Sequence, residues 1–233
     1  MSGCGLAIFV KTPVLSPAKT RLWPALGRAR AEALYLECAA AVASVAEQAQ
    51  RASMVQPYWA VAEAEGLDAP IWQRLPRLSQ GEGGLGARMA GVYSQLLHRH
   101  RAAVLIGADA PQLQASMIAQ AAAWLDAPVP RLVLGRAEDG GFWLFGGNVA
   151  LDEAAWEGVA YSRADTAECF EAVFSGSGEW LQLPVVRDLD TIDDLAPVHA
   201  ALAALHAATP EQRRVSNWLD DALAPAGVPQ WTA

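Results

Sequence analysis

Short apolar runs alternate along this chain of 233 residues with stretches rich in helix-forming residues. Three runs predict buried strands because they are short, apolar and rich in strand formers: 6–10, 102–107 and 131–135. Three segments predict helices from their composition and the spacing of their apolar residues: 28–51, 85–100 and 116–125. Strands that alternate with helices imply right-handed crossovers, and therefore a mostly parallel sheet with helices on both faces.

Further elements extend this α/β pattern towards the C-terminus. Three more runs predict strands: 54–62, 142–146 and 181–186. Pro57 counts against a central position for the first of them, because proline lacks the N–H that a ladder requires. A helix is expected over 191–208, opened by a capping box, and another after Pro210. We expect one domain over 1–233, with a C-terminal helix and a surface tail at about 209–233.

Composition and charge exclude several classes of function. About 53% of the residues are apolar and the formal charge is −8, which favours a sizeable core and argues against sequence-independent binding to nucleic acid. No apolar run is long enough to span a bilayer, and we expect no signal peptide before the first strand. The three scattered cysteines provide neither a disulfide framework nor a zinc motif, so we expect a cytoplasmic protein: Cys4, Cys38 and Cys169.

Ligands of such sheets bind beyond the carboxyl ends of the strands, where the strand order reverses. Four loops occupy these positions: 11–21, 107–113, 136–141 and 187–190. The first, within VKTPVLSPAKTRL, holds Lys11, Lys19 and Arg21. A cationic loop between a strand and a helix suits phosphate, although it lacks the glycines of a P-loop. A solvated loop with surface cations is an equally good explanation of this motif alone.

Carboxylates dominate two of the other loops. Asp109 follows the strand 102–107, and Asp188 and Asp190 lie just before the predicted cap of a helix. Carboxylate oxygens are the ligands that hard cations prefer, so these residues suit Mg²⁺ or Mn²⁺. The alternative for Asp109 is a residue that merely begins a turn.

Two glycine-containing motifs allow more than one interpretation. The stretch GEGGLG (81–86) matches the GxGxxG pattern of dinucleotide sites, but no strand is predicted before it, so a flexible loop close to a ligand is the better explanation. The turn around Asp139 in AEDGGFWLFG predicts a hairpin, and its glycines would let backbone approach a ligand.

Taken together, five ordered motifs resemble a bacterial family of glycosyltransferase-A-like transferases, formerly a domain of unknown function. The motifs are KTPVLSPAKTRL, QGEGGLGARM, GADAPQL, AEDGGFWL and DLDTIDDL, and they span residues 11–195. Ser16 departs from the family pattern, which usually has glycine there, and this puts phosphate contact by the loop in question. The resemblance implies a three-layer sandwich of the nucleotide-diphospho-sugar transferase, Rossmann-like type.

The resemblance also implies roles for individual residues. A divalent metal, Mg²⁺ or Mn²⁺, would be held by Asp109 and Asp190, with Asp188 beside them. The nucleotide would be bound by residues of the first loop and the middle motif: Lys11, Lys19, Arg21, Gln80, Gly84 and Arg88. Asp109 and Asp139 are the catalytic candidates, and Asp139 is the best candidate for a general base.

Several functions follow from these assignments. The first is a metal-dependent transferase with a nucleotide-sugar donor and an unknown small-molecule acceptor. The second is a nucleotidyltransferase that transfers from a nucleoside triphosphate to a phosphorylated or sugar acceptor and releases pyrophosphate. Both reactions need the same cations and metal. A dinucleotide-binding oxidoreductase is motivated by GEGGLG, and a nucleotide-binding protein without catalysis by Ser16. We expect no nucleic-acid or membrane partner; the sequence does not specify the oligomeric state.

Overall fold

In a computed structural model, which describes residues 2–224, one seven-stranded sheet forms the centre of the chain. The strand order is β3-β2-β1-β4-β6-β5-β7, and only β6 runs antiparallel to its neighbours. The strands are β1 (Ser2–Val10), β2 (Val55–Val61), β3 (Arg77–Ser79), β4 (His100–Gly107), β5 (Arg131–Ala137), β6 (Phe142–Gly147) and β7 (Glu179–Val186). The predicted mostly parallel sheet is therefore confirmed.

Helices cover both faces of the sheet and complete the predicted three-layer sandwich. They are α1 (Trp23–Leu26), α2 (Arg28–Ala52), α3 (Leu85–Leu97), α4 (Ala115–Leu125), α5 (Glu153–Glu157), α6 (Thr166–Val173), α7 (Leu195–Ala203) and α8 (Pro210–Leu223). One face packs on α2 and α4, and the other on α3, α5 and α6. A third cluster joins α2 to α7 and α8. No helix within residues 2–224 is both long and apolar enough to cross a membrane.

The long helix, the helix 116–125 and the antiparallel hairpin around Asp139 agree with prediction. The helix predicted over 85–100 ends at Leu97, because His100 already begins β4 and is buried against Tyr58. The helix predicted over 191–208 begins with a 3-10 turn and ends at Ala203. The elements β3, α1, α5 and α6 were not predicted, and the predicted tail beyond Ala224 lies outside the described residues.

Pro57 lies in β2, one strand in from the edge of the sheet. The edge strand β3 is only three residues long and pairs with Trp59–Val61, so it does not reach Pro57. On its other side β2 pairs with β1, where Pro57 lies beside Leu6. The missing N–H therefore falls where the neighbouring edge is open, which explains how proline is tolerated in a nearly central strand.

A buried polar network ties the C-terminal helix to the loop after β4. The Gln212 side-chain amide donates to the carbonyl oxygens of Pro111 and Leu113, at 2.9 and 2.8 Å. Its Oε1 accepts from the N–H of Thr209, whose hydroxyl lies 2.7 Å from that of Ser44. Gln212 is only 2% exposed, so these partners have no access to water. The network fixes the backbone that follows Asp109.

The substitution Gln212→Met should lower the free energy of unfolding by about 2–3 kcal/mol, because it leaves buried donors and acceptors without partners. Chemical denaturation measures this loss. Gln182→Met is the control, since Gln182 is exposed and makes one side-chain bond to Glu171, and it should change stability by less than about 0.5 kcal/mol. Equal losses in the two variants would contradict a buried role for the Gln212 amide.

Candidate functional site

The site lies at the carboxyl ends of β1 and β4, where the strand order reverses. The chain leaves β1 through the cationic loop and leaves β4 through the turn that carries Asp109. The loop after β7 returns to the same place, because the Leu189 N–H donates to the carbonyl oxygen of Asp109 at 2.9 Å. Three of the four predicted loops therefore meet at one point.

Lys19 forms the centre of this site. Its ammonium nitrogen lies 2.6 Å from Asp109 Oδ1 and 2.7 Å from Asp190 Oδ1, and its side chain is only 4% exposed. The backbone of Lys19 is left-handed, with φ of 52°, a conformation that costs energy for any residue other than glycine. Strain at a residue held by two carboxylates points to a functional position.

The charges of the cluster shift its pKa values. Burial disfavours the charged form of Lys19, but the carboxylates of Asp109 and Asp190 outweigh burial, so the pKa of Lys19 lies above its ordinary value. Burial, together with the negative charges of Asp109, Asp190 and Asp139, raises the pKa of Asp188 to about 8, although Lys19 acts in the opposite direction. A proton is therefore held among these carboxylates at neutral pH.

The other two cations of the first loop are accessible. Lys11 is exposed, and no carboxylate within residues 2–224 forms an ion pair with its ammonium. The Arg21 side chain is 69% exposed and lies 3.9 Å from Asp190 Oδ2. Lys11 and Arg21 thus offer positive charge to solvent, whereas the charge of Lys19 is already balanced. Ser16 has no left-handed backbone, so the absence of glycine at this position does not strain the loop.

The residues of the middle motif have different surroundings. Gln80 is 6% exposed, and its amide donates to the carbonyl oxygens of Val10 and Ala60, which ties the ends of β1 and β2 together. Arg88 donates from Nε to the Gly83 carbonyl and braces the glycine loop. Gly84 caps α3 in open space. Gln80 therefore supports the site from beneath, while the glycine loop faces solvent.

The premise that no strand precedes GEGGLG was wrong, since β3 ends at Ser79. The dinucleotide arrangement is nevertheless absent from residues 2–224. In that arrangement the acidic residue follows the strand next to the glycine loop. Here β3 is an edge strand, and β2 and β1 separate it from β4, which carries Asp109. The glycine loop and Asp109 therefore do not form a dinucleotide fingerprint.

The turn between β5 and β6 brings Asp139 to the same edge of the sheet. Asp139 is exposed, and its Oδ1 accepts from the Gly141 N–H at 2.8 Å. Gly140 has φ of 90°, and a Cβ there would lie 1.9 Å from the Ala164 carbonyl oxygen, so only glycine fits. The negative charge of Asp139 is among the causes of the raised pKa of Asp188, which supports a place for its carboxylate near the cluster.

Sequence reasoning missed two supporting residues. The Tyr35 hydroxyl accepts from the Lys11 N–H at 2.7 Å, and Glu63 Oε2 accepts from the Thr12 N–H at 2.8 Å. Tyr35 is buried in a helix whose sequence predicts only packing, and Glu63 follows β2 in a segment without a motif. Both hold the backbone of the first loop, and a contact across this distance in sequence leaves no local signal.

Asp109 and Asp190 are the carboxylates in a position to bind a divalent cation. Within residues 2–224, no group of three or more His, Cys, Asp or Glu side chains is arranged to hold a metal ion. Asp109 and Asp190 nevertheless direct one oxygen each at the same positive charge. Mg²⁺ is usually bound through one or two carboxylates together with water and substrate phosphates. The pair fits such a partial site, with the ammonium of Lys19 bound to the same oxygens.

Comparison with known proteins gives a family match. A family model described as "Uncharacterized protein conserved in bacteria (DUF2064)" matches residues 39–163, more than half of the chain. No curated protein matches the chain.

Among solved structures, a Desulfovibrio desulfuricans G20 protein, provisionally named a nucleotide-diphospho-sugar transferase, is 21% identical. Its TM-score is 0.79, and the match covers 95% of this chain and 99% of that one. A CMP:2-keto-3-deoxy-manno-octonic acid synthetase complexed with CTP is 12% identical, with a TM-score of 0.52 and coverage of 87% and 99%. A cytidylyltransferase of Leptospira borgpetersenii serovar Hardjo-bovis (strain JB197) is 11% identical, with a TM-score of 0.54 and coverage of 95% of each chain. At these identities the matches establish the nucleotide-diphospho-sugar transferase fold.

Substitution of Lys19 by methionine should destabilise the protein by about 2–3 kcal/mol near neutral pH, because it leaves carboxylates close together without their cation. Denaturant unfolding in the presence of a chelator measures the loss. Lys11→Met is the matched control, since Lys11 is exposed and unpaired within the described chain, and it should have an effect below about 0.5 kcal/mol. Equal effects would contradict the central position of Lys19.

The raised pKa of Asp188 predicts a dependence of stability on pH. The folded protein keeps this proton up to about pH 8, whereas the unfolded chain loses it near the ordinary value of 3.8, so the contribution of Asp188 to stability falls as pH rises through this window. Asp188→Asn removes that loss. In chelator, its unfolding free energy relative to wild type should rise between about pH 5 and about pH 8, by up to about 1.4 kcal/mol per pH unit. Parallel pH profiles would contradict the shift.

Proposed function

The chain belongs to the bacterial family described as "Uncharacterized protein conserved in bacteria (DUF2064)", and we propose that it is a metal-dependent transferase with a nucleotide-activated donor. The observation that carries the proposal is the position of Lys19 between Asp109 and Asp190, at the point where the strand order reverses. Paired carboxylates beside accessible cations suit a metal-bound diphosphate.

The neighbours in fold support a nucleotide as the activated group. The Desulfovibrio protein is named for nucleotide-diphospho-sugars, and the synthetase was solved with CTP. We propose a nucleotide sugar as the donor and a small-molecule acceptor. Nucleotidyl transfer is the second candidate, and the similarity to the Leptospira cytidylyltransferase favours it.

The residues of the site have distinct parts in this proposal. Lys11 and Arg21 bind phosphate oxygens, because their charges face solvent, and the glycine loop 81–84 lets the donor lie close to the backbone. Asp109 and Asp190, with Asp188 beside them, would hold Mg²⁺ or Mn²⁺. When bound, the ion would neutralise negative charge that develops on the leaving phosphate. We propose that the nucleotide also lies against the middle motif, where Gln80 fixes the ends of β1 and β2 and Arg88 braces the glycine loop.

The chemical step has the same balance in both candidate reactions. An acceptor oxygen forms the new bond, to a sugar carbon in glycosyl transfer or to phosphorus in nucleotidyl transfer. The bond to the leaving phosphate breaks, and its electron pair stays on that phosphate. The acceptor proton passes to a base, for which we propose Asp139, because its carboxylate is exposed beside the cluster.

The proposal also covers the domain organisation of the protein and the compartment in which it acts. We propose that the chain acts as one domain over 1–233 in the cytoplasm. Three thiols without disulfide bonds support a reducing compartment: Cys4, Cys38 and Cys169. A net charge of −8 supports small-molecule substrates rather than nucleic acid.

Binding of nucleotides in the presence of Mn²⁺ tests the proposal. Calorimetry with a panel of nucleoside triphosphates and nucleotide sugars should identify at least one ligand that binds the wild type. Asp109→Asn should weaken that binding at least about tenfold, because the variant loses a charged oxygen that faces the cation. Asp126→Asn is the control, since Asp126 lies after α4 with its side chain 73% exposed, and it should bind like wild type. No bound nucleotide, or equal affinity in the Asp109 variant, would contradict the proposal.

Product analysis with the ligands that bind separates the two reactions. Release of a nucleoside diphosphate from a nucleotide sugar supports glycosyl transfer, whereas release of pyrophosphate from a triphosphate supports nucleotidyl transfer. Binding without either product would support a protein that holds nucleotide without catalysis.

A further inference from the structure

A cavity of about 370 Å³ lies beside the turn that carries Asp139. Its walls come from the end of β5, the turn 138–141, α6 with the segment before it, and β7. The lining includes three charged residues, Arg136, Glu138 and Glu168, and three small ones, Gly140, Ala164 and Ala167. The volume is within the range of small-molecule sites, about 300–1,000 Å³. The proposed functions of the cationic loop and the carboxylates do not use this cavity.

The cavity opens at the same edge of the sheet as the Lys19 cluster. Strands β4 and β5 are both antiparallel to β6, so their carboxyl ends point the same way. Only β6 separates them, which places the two strand ends about 10 Å apart. Asp139 lies in the turn between the two regions. A molecule in the cavity would therefore lie next to a donor bound at Lys11 and Arg21.

The cavity wall is held in place by backbone contacts. The Ala167 N–H donates to the Gly140 carbonyl at 2.9 Å, and the Glu138 N–H donates to the Val186 carbonyl at 3.1 Å. These bonds join the turn to α6 and to the end of β7. The cavity is thus preformed and needs little ordering on binding, which reduces the entropic cost of a ligand.

The charges around the cavity are mainly negative. Arg136 is bound to Glu171 at 2.6 Å and lies 3.7 Å from Glu168, so its charge is already balanced. Glu138 pairs with Arg187, which also pairs with Asp194 at 3.2 Å. Among the charged residues that line the cavity, Glu138 and Glu168 therefore outnumber Arg136, and the Glu168 side chain remains 74% exposed. An anionic ligand would be repelled here.

We propose that this cavity binds the acceptor, and that the acceptor is a neutral or cationic molecule of sugar size that bears hydroxyl or amino groups. The inference rests on the proposed function, because it names the second substrate of the same site. The two halves of the edge then differ in charge: the half with Lys11 and Arg21 takes the anionic donor, and the half with Glu138 and Glu168 takes an acceptor that is not anionic.

Three sugars with the same ring and different charge test the proposal: glucosamine, glucose and glucuronate. Backbone amide NMR of the full chain, titrated with each sugar without nucleotide, should show shifts at Gly140, Gly141 and Ala167. Glucosamine should bind about fivefold more tightly than glucuronate, and salt should reduce this difference because it screens exposed charges. Glucose should lie between them.

Variants link the preference to the cavity. Glu168→Lys should abolish or reverse the preference for glucosamine. Glu179→Lys makes the same charge change at the amino end of β7, away from the carboxyl ends of the strands, and should preserve the preference. Ala164→Phe should fill the cavity and remove all sugar binding while nucleotide affinity is unchanged, since Ala164 is exposed in the segment before α6, outside the loops that carry Lys11, Arg21 and the carboxylates.

Equal or tighter binding of glucuronate by the wild type would overturn the proposal. So would binding that survives Ala164→Phe, or the absence of shifts at the cavity with all three sugars. These outcomes are independent of nucleotide binding: a protein that binds no nucleotide refutes the proposed function, whereas a protein that binds nucleotide but shows no cavity shifts refutes only this inference.

Discussion

The contact between the Lys19 ammonium and the carboxylates of Asp109 and Asp190 is the interaction on which the rest of the site depends. It joins the loop after β1, the loop after β4 and the loop after β7, which lie far apart in sequence. Without a cation, these carboxylates and Asp188 would repel one another at the edge of a mostly apolar sheet. The strained backbone of Lys19 is held in place by both partners.

Two buried glutamine side chains hold the backbone around this contact in place. Gln80 ties the ends of β1 and β2, and Gln212 holds the backbone just after Asp109 through the C-terminal helix. Both amides are buried and bonded to main-chain carbonyls, so they restrict movement of the loops rather than supply chemistry. The exposed charges then differ along the carboxyl ends of the strands, with Lys11 and Arg21 on one side of Asp139 and Glu138 and Glu168 on the other.

Much of the fold follows from local signals in the sequence. The strands 6–10, 102–107 and 131–135 are short apolar runs between turn residues, and the pattern predicts them together with the mostly parallel sheet. Strand β3 was not predicted, because three residues carry too little periodicity, and α5 and α6 lie in a segment of mixed composition. The position of Pro57 depends on the length of a neighbouring strand, which no local pattern contains.

The site was predictable in composition but not in geometry. The rule that ligands bind beyond strand ends selected the loops of Lys11, Asp109 and Asp190. It does not show that Lys19 would bind the carboxylates directly, nor that Gln80 would be buried, because both depend on side-chain packing between distant segments. The support from Tyr35 has the same origin, a long-range contact without a sequence signal.

The central claim is that the oxygens bound to Lys19 are also those that receive the divalent cation. A crystal structure of the chain grown with Mn²⁺ and a nucleotide that binds it, with anomalous scattering measured at the manganese edge, tests this claim most directly. We expect an anomalous peak between Asp109 and Asp190, with nucleotide phosphate beside Lys11. A peak elsewhere, or bound nucleotide with Lys19 still between the two carboxylates and no manganese there, would contradict it.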